Sequence, residues 1–187
     1  MVVPTRLTTE QLLASFDLPD GIVTHSRGVS RVAAEAARLL AAAGVAVDPR
    51  LVAVAALLHD VDKLETRADG EQHGLMAAGW MAERGYPELS EPIASHPIGC
   101  LLDPARAPRG WDSVAVAVAD RHVAQEFVTI DDRIDDQARR YPAFKAELEA
   151  ARQPAHAMQA DLAAAAGLTV AELEDRLRVA WAEADAA

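Results

Sequence analysis

One segment of the chain, RLVAVAALLHD at residues 50–60, is apolar nearly all round and constrains the fold more than any other. A helix without a polar face has to lie in the middle of the core, enclosed by other elements. Asp48 and Pro49, directly before it, are typical of a helix N-cap and first helical position. The segment ends on two ionisable residues, His59 and Asp60. The sequence therefore predicts polar side chains at the end of a buried helix.

Helical patterns account for most of the remaining chain, in which alanine and leucine dominate. Apolar spacing predicts a long helix over residues 22–43 that stops at Gly44, a helix over residues 73–84, and a short helix that ends at Pro97. Polar loops are expected over residues 66–72 and 99–110, the second of which carries two prolines and two arginines. These elements predict an all-α chain.

Two further helices are indicated by capping boxes. Thr8 with Gln11 predicts the start of a short helix that runs to about Phe16, and Thr169 with Glu172 predicts the start of a helix near the end of the chain. Both pairs have a hydroxyl residue followed three positions later by a glutamine or glutamate.

The segment SVAVAVAD at residues 113–120 is ambiguous, because alternating valine and alanine is also typical of a half-buried strand. Interpreted as a helix, the region places one stripe of residues on a single face: Val116, Asp120, Val123, Phe127 and Ile130. No other candidate strand is visible, and an isolated strand is not stable. We therefore predict a helix here.

Length, charge and cysteine content narrow the class of protein. A chain of 187 residues is about the size of one domain. Its formal net charge of −11 disfavours nucleic acid and anionic membranes as partners, although a small anion can bind in a locally positive pocket. The single cysteine, Cys100, and the lack of a signal-peptide pattern or long apolar run favour a cytoplasmic protein without membrane association.

Six ionisable side chains fall on apolar helix faces or at the end of the buried helix. They are His25, His59, Asp60, His73, His96 and Asp120. Two buried carboxylates with no obvious buried lysine or arginine need positive charge, which metal ions supply. Imidazole and carboxylate ligands suit iron, manganese, zinc, cobalt or nickel better than calcium. Six side chains exceed the needs of one tetrahedral site, so we expect two divalent ions bridged by Asp60 and a hydroxide.

Each of these residues alone has a simpler interpretation. A single histidine on an apolar face is more often a hydrogen-bonded core residue than a metal ligand. Asp60 can cap a helix, and Asp120 can pair with Arg121 or with a distant arginine. The joint occurrence favours the metal site. His122 is left out because it projects about 200° away from Asp120 on a helix, and His156 is expected at the surface.

The ordered set of His25, the adjacent pair His59 and Asp60, and Asp120 resembles the HD superfamily of metal-dependent phosphohydrolases. The segments THSRGVSRVAAEAARLL and LVAVAALLHDVDKL are similar to the opening halves of that family. The two further histidines, in EQHGLMAAGWMAERGYPELSEPIASH, resemble subfamilies with a second metal, such as the HDIG-type phosphohydrolases and the di-iron diadenosine tetraphosphate hydrolases. Two departures are the aspartate Asp62 in place of a glycine, within HDVDK, and the segment SHPIG.

The resemblance covers about residues 20–130 and implies an HD-domain helical bundle as a single domain. Residues 1–19 would then form an N-terminal helical extension. Residues 131–187 would form C-terminal helices that pack on the core or on a second subunit, which leaves a homodimer open.

The resemblance also implies hydrolysis of a small phosphoester, such as a nucleotide or dinucleotide, with the bridging hydroxide as nucleophile. Iron or manganese is favoured. Asp60 and Lys63 are expected to be catalytic, and Lys63, Arg121 and Arg27 to bind substrate. Two alternatives stay open: a di-iron oxygenase with the same ligand set, and a non-catalytic, metal-containing ligand-binding module.

Overall fold

The computed structural model describes residues 3–66 and 73–183, which form nine α-helices and no β-strand. The helices are α1 (Arg6–Ala14), α2 (Asp20–Ala42), α3 (Pro49–Leu58), α4 (Leu75–Glu83), α5 (Ser90–Ser95), α6 (Gly110–His122), α7 (Ile130–Arg140), α8 (Lys145–Ala165) and α9 (Val170–Ala182). Short 3-10 helices cover Pro87–Leu89, Ile98–Leu102 and Pro142–Phe144. The prediction of an all-α fold is confirmed.

The core is built around α3, as its apolar sequence predicted. Seven of its ten residues are buried, and it packs against α1, α2, α5 and α6. Its start is fixed by Asp48, whose carboxylate accepts hydrogen bonds from the backbone N–H groups of Arg50 (2.9 Å) and Leu51 (3.2 Å). Pro49 occupies the first helical position. The C-terminal end of α3, at Leu57 and Leu58, is buried inside the bundle, and His59 follows it there.

The boundaries of two other helices also follow from local sequence. α2 ends at Ala42, and Gly44 adopts the left-handed conformation (φ +84°) that lets the chain turn away. Thr169 and Glu172 form the predicted capping box of α9. The predicted capping box at Thr8 is wrong. α1 begins earlier, with Thr5 as its N-cap, because the Thr5 hydroxyl accepts the Thr8 N–H.

Two loop and helix predictions needed correction. The stretch from residue 99 is not wholly an exposed loop, because the 3-10 helix Ile98–Leu102 buries Cys100. The helix predicted for residues 113–120 is confirmed, but the stripe predicted to continue on it through Phe127 to Ile130 is wrong, because the helix ends at His122. Val123 and Phe127 then form an isolated β-bridge before α7 begins. The predicted loop over residues 66–72 lies, except for Thr66, outside the described residues.

The C-terminal helices pack on this core. α9 lies against α2, and α8 lies against α6 and the 3-10 helix Ile98–Leu102. α7 and α8 form a small apolar cluster of their own around Ile130, Ile134 and Leu148. In the described part of the chain no helix is both long and apolar enough to cross a membrane. Packing on a second subunit stays a prediction.

Candidate metal centre

The structure brings together all six predicted ligands, which we call the His/Asp cluster: His25, His59, Asp60, His73, His96 and Asp120. They come from five places in the fold. His25 lies near the start of α2, and His59 and Asp60 follow α3. His73 precedes α4, His96 follows α5, and Asp120 lies in the last turn of α6. Five of the six are buried, and His73 is partly exposed.

Asp60 lies at the centre of this cluster and faces all four histidines. Its Oδ2 is 3.6 Å from His25 Nε2. Its Oδ1 lies 3.4, 3.2 and 3.7 Å from the Nε2 atoms of His59, His73 and His96. The two oxygens of Asp60 thus face different histidines of the cluster.

Asp120 lies on one side of the cluster, with its Oδ1 at 3.1 Å from His25 Nε2 and 3.7 Å from His59 Nε2. Two groups of donor atoms are close enough to hold an ion each, with all atoms of a group within 4.8 Å of one another. The first group is His25, His59 and Asp120. The second is His59, Asp60 and His96. His73 Nε2 is 3.2 Å from His96 Nε2 and lies beside the second group.

The backbone orients two of the imidazole rings. His59 Nδ1 lies 2.7 Å from the carbonyl oxygen of Ala56, and His96 Nδ1 lies 2.6 Å from that of Ile93. A carbonyl oxygen only accepts, so each Nδ1 carries the proton and donates it. When such a ring is neutral, its lone pair is on Nε2, which faces the cluster, and this is the tautomer that binds a metal.

Several buried atoms at the centre lack a hydrogen-bond partner among the described residues. They are the Nε2 atoms of His25 and His59 and the Oδ1 atoms of Asp60 and Asp120. A buried polar atom without a partner costs about 1–3 kcal/mol. Four such atoms that converge from different helices are the donor set that transition-metal ions prefer. The residues present therefore fit one or two divalent ions.

Burial and neighbouring charges set the protonation of the cluster. Burial lowers the pKa of His25, and burial with nearby His59 and His73 holds the pKa of His96 well below its usual range. Both rings are then neutral at pH 7, as metal ligation requires. Burial opposes ionisation of Asp60, but His59 and Lys63 outweigh it and hold the pKa of its carboxyl well below the usual range.

Asp62 has a role that the sequence did not reveal. It is fully buried, and its Oδ2 accepts hydrogen bonds from the backbone N–H groups of Gly74 (2.8 Å) and Ala77 (3.0 Å). Its Oδ1 accepts the Nδ1–H of His73 at 2.8 Å. The aspartate therefore fixes the start of α4 and orients His73 toward Asp60. Its position two residues after Asp60, just beyond the end of the buried helix α3, was the available signal.

Three cationic side chains surround the carboxylates. Lys63 Nζ lies 2.5 Å from Asp60 Oδ2. Arg121 forms a close ion pair with Asp120 and donates to the carbonyl oxygen of His96 at 3.0 Å. Arg133, on α7, has a guanidinium nitrogen 3.6 Å from Asp120 Oδ1. The expectation that no arginine is buried beside the carboxylates is wrong, since Arg121 and Arg133 are only 2% and 6% exposed.

Arg133 was missed because its helix, IDDRIDDQARR, has the composition of a solvated surface. The arginine lies between Ile130 and Ile134, which are both buried, so it shares their inward face. That spacing was the only sign of its burial.

Other polar residues lie away from the cluster. The structure does not bring Arg27 to it, because the Arg27 side chain is half exposed and pairs with Glu10 at 2.9 Å. His122 faces the opposite way, as expected, with Nδ1 against the carbonyl oxygen of Val128 (2.9 Å) and Nε2 near the amide of Gln159 (3.0 Å). His156 is largely exposed beside Asp131.

Five of the six residues of the His/Asp cluster, all except the fully buried His59, line a cavity of about 1190 Å³. Lys63, Arg121 and Arg133 also line this cavity, and the partly exposed aromatic rings of Tyr141 and Phe144 line it between α7 and α8. Ligand pockets are commonly about 300–1,000 Å³. The cavity is therefore large enough for a small organic molecule.

Comparison with known proteins points to one family. The HD domain family model matches residues 22–126, which contain the whole His/Asp cluster. An uncharacterized protein of Methanocaldococcus jannaschii is 35% identical over 80 residues, which are 43% of this chain and 46% of that protein. The matched region thus spans less than half the length of that curated relative. No solved structure shows a significant match.

Proposed function

Because the chain belongs to the HD domain family, which is a family of metal-dependent phosphohydrolases, we propose that it hydrolyses a small phosphoester such as a nucleotide or dinucleotide. The observation that carries this proposal is the convergence of unpartnered nitrogen and oxygen atoms in the wall of a cavity of substrate size. The reaction adds water to phosphorus and breaks the P–O ester bond, and the leaving oxygen takes up a proton.

The His/Asp cluster would hold two divalent ions. His25, His59 and Asp120 suit one ion, and Asp60 with His73 and His96 suits the other. When bound, such ions act as Lewis acids and lower the pKa of water toward neutrality. Iron or manganese is the favoured metal, since the ligands are imidazole and carboxylate without thiolate.

Two cations of the chain are suited to handle phosphate charge. Lys63 is partly exposed to the cavity while its Nζ contacts Asp60, so it can approach a bound phosphate and offset charge that develops in the transition state. Arg121 lines the same cavity and is held by Asp120 and the His96 carbonyl oxygen, which limits its side-chain freedom. We assign Lys63 to catalysis and substrate binding, and Arg121 to substrate binding.

The test replaces one cluster histidine and one histidine elsewhere. His59→Ala should lose most of the bound metal and lower kcat/KM by a factor of about a thousand or more, because a catalytic metal contributes several kcal/mol. His156→Ala is the matched control and should keep both properties, since His156 is exposed and remote from the cluster. Metal content is measured by mass spectrometry, and activity on mononucleotides, dinucleoside polyphosphates and cyclic dinucleotides.

Two results would contradict the proposal. The first is a wild-type protein that binds less than one metal per chain under metal-replete conditions. The second is a fully metal-loaded protein that hydrolyses none of these phosphoesters.

A further inference from the structure

The two buried arginines beside Asp120 are not fully used by the contacts of the fold. Arg121 Nε and Arg133 Nε are both buried and lack a hydrogen-bond partner among the described residues. Both side chains line the cavity. Each guanidinium carries five N–H donors, so the two arginines together offer more donors than the single carboxylate of Asp120 can accept. The pair therefore has donors left for a ligand.

Neutralising Asp120 does not by itself require both arginines. Arg121 alone already forms a close ion pair with Asp120. Arg133 is more distant, at 3.6 Å, and makes no hydrogen bond to Asp120 that meets ordinary geometry. Burying a second arginine beside the first costs free energy, because the two positive charges repel each other and the guanidinium loses its hydration. Arg133 can stay hydrated only where it faces the cavity.

The charge balance of the cluster points to an anion. With the histidines neutral, as metal ligation requires, three carboxylates, Asp60, Asp62 and Asp120, are offset by three cations, Lys63, Arg121 and Arg133.

Two divalent ions added to this balanced set leave a large positive excess. Four other carboxylates line the cavity, and three further arginines there offset most of their charge: Arg106, Arg139 and Arg140. Asp136 is engaged by Arg139 and Arg140, and Asp132 is bonded to Thr129. Glu126 and Glu147 are exposed to solvent. A metal-loaded site of this kind attracts a multiply charged anion.

We propose that Arg121 and Arg133 together bind the terminal phosphate of a phosphomonoester, with Arg133 supplied by α7 from outside the matched HD region. This inference rests on the proposed function and names its substrate class. A phosphomonoester carries about two negative charges at neutral pH, whereas a phosphodiester carries one, so the positive excess favours the monoester. Planar guanidinium groups suit phosphate oxygens because they donate in pairs.

The first experiment measures binding of inorganic phosphate to the metal-loaded protein by calorimetry, which needs no turnover. Arg133→Gln should raise the Kd of phosphate by about 10- to 100-fold, as expected for a lost charge-assisted hydrogen bond. Arg133→Lys should raise it less, because the charge is kept while the paired donors are lost. Arg38→Gln is the control for removal of one positive charge, since Arg38 is exposed on α2 and pairs with Glu35.

Metal content and thermal unfolding are measured on the same samples. Unchanged phosphate affinity in Arg133→Gln, at wild-type metal content and fold, would refute the inference and leave Arg133 as a partner of Asp120 alone. Loss of metal in Arg133→Lys would also refute the inference, because Arg133 would then affect metal binding through its contact with Asp120. The inference would also be refuted if the metal-loaded wild-type protein bound no inorganic phosphate at phosphate concentrations of tens of millimolar.

The second experiment compares a phosphomonoester with a phosphodiester of the same leaving group. Arg133→Gln should raise KM for the monoester more than for the diester, and an equal effect on both would overturn the monoester assignment. If phosphate binds through Arg133 but no phosphoester is hydrolysed, the anion site stands and the proposed hydrolase function falls. If hydrolysis persists with an unchanged KM in Arg133→Gln, only the anion site falls.

Discussion

Replacement of Asp62 by asparagine separates the two tasks of this buried carboxylate. In the wild type, Asp62 Oδ2 accepts the N–H groups of Gly74 and Ala77, and Oδ1 accepts the Nδ1–H of His73. Asparagine keeps one oxygen, which can continue to accept the two backbone N–H groups. Its NH₂ group then faces His73 Nδ1, so the histidine has to present a lone pair there and carry its proton on Nε2. A protonated Nε2 cannot bind a metal.

The expected loss of metal affinity in Asp62→Asn is about 10- to 100-fold, the usual effect of removing a residue that orients a metal ligand. This corresponds to about 1.4–2.7 kcal/mol. The fold should be little affected. Asp62→Ala, by contrast, leaves the N–H groups of Gly74, Ala77 and His73 without their partner, at about 1–3 kcal/mol for each. The alanine variant should therefore lose several kcal/mol of stability.

Competition with a chromophoric chelator gives the metal affinity, and chemical denaturation of the metal-free protein gives the free energy of unfolding. Asp161→Asn is a charge-matched control, because Asp161 is exposed on α8. Wild-type metal affinity in Asp62→Asn would show that Asp62 does not orient His73 for ligation. Equal stability of the asparagine and alanine variants would show that Asp62 does not fix the start of α4.

Two further predictions concern stability. Burial opposes protonation of His73, but the adjacent carboxylates of Asp60 and Asp62 outweigh it and raise the pKa of His73 to about 9. The pKa of a histidine in the unfolded chain is about 6.5. This stabilisation of the metal-free protein is therefore fully present below about pH 6.5 and is lost as the pH rises through about 9. Equal free energies of unfolding at both ends of that range would contradict the prediction. Ile134→Ala should destabilise the protein by about 2–5 kcal/mol, because Ile134 is fully buried between α7 and α8. Urea denaturation tests this, and a change below 1 kcal/mol would show that α7 is not anchored by this side chain.

Sequence reasoning was most successful where a local pattern had one physical explanation. The all-apolar segment that became α3 could only be a core helix, and Asp48 with Pro49 fixed where it begins. The ionisable residues of the His/Asp cluster were recognisable because each interrupts an apolar face, which is costly unless the residue has a partner. Their convergence could be inferred from that shared cost, without knowledge of how the helices pack.

The residues that were missed act through contacts between segments far apart in the chain. Asp62 bonds to residues 11 to 15 positions later, and Arg133 reaches Asp120 from a different helix. Neither contact leaves a periodic pattern: Asp62 lies between two helices, and Arg133 lies on a mostly polar helix, where one more charged residue looks like a surface residue. Arg27 shows the converse error. It lies two residues from His25, yet a helix turns it by about 200°, toward Glu10 at the surface.

The distribution of charge explains how an acidic chain can present a site for an anion. The net charge of −11 comes largely from exposed carboxylates, such as Asp131 and Asp135, which surround Arg152 on the outer side of α7. At physiological ionic strength, such charges are screened over about 8 Å, whereas the buried Arg121 and Arg133 would act on a bound anion at contact distance. An extended polyanion would meet the acidic surface along its whole length, while a single phosphate would meet mainly the cations of the cavity. The same charge pattern therefore favours a small phosphorylated substrate over nucleic acid.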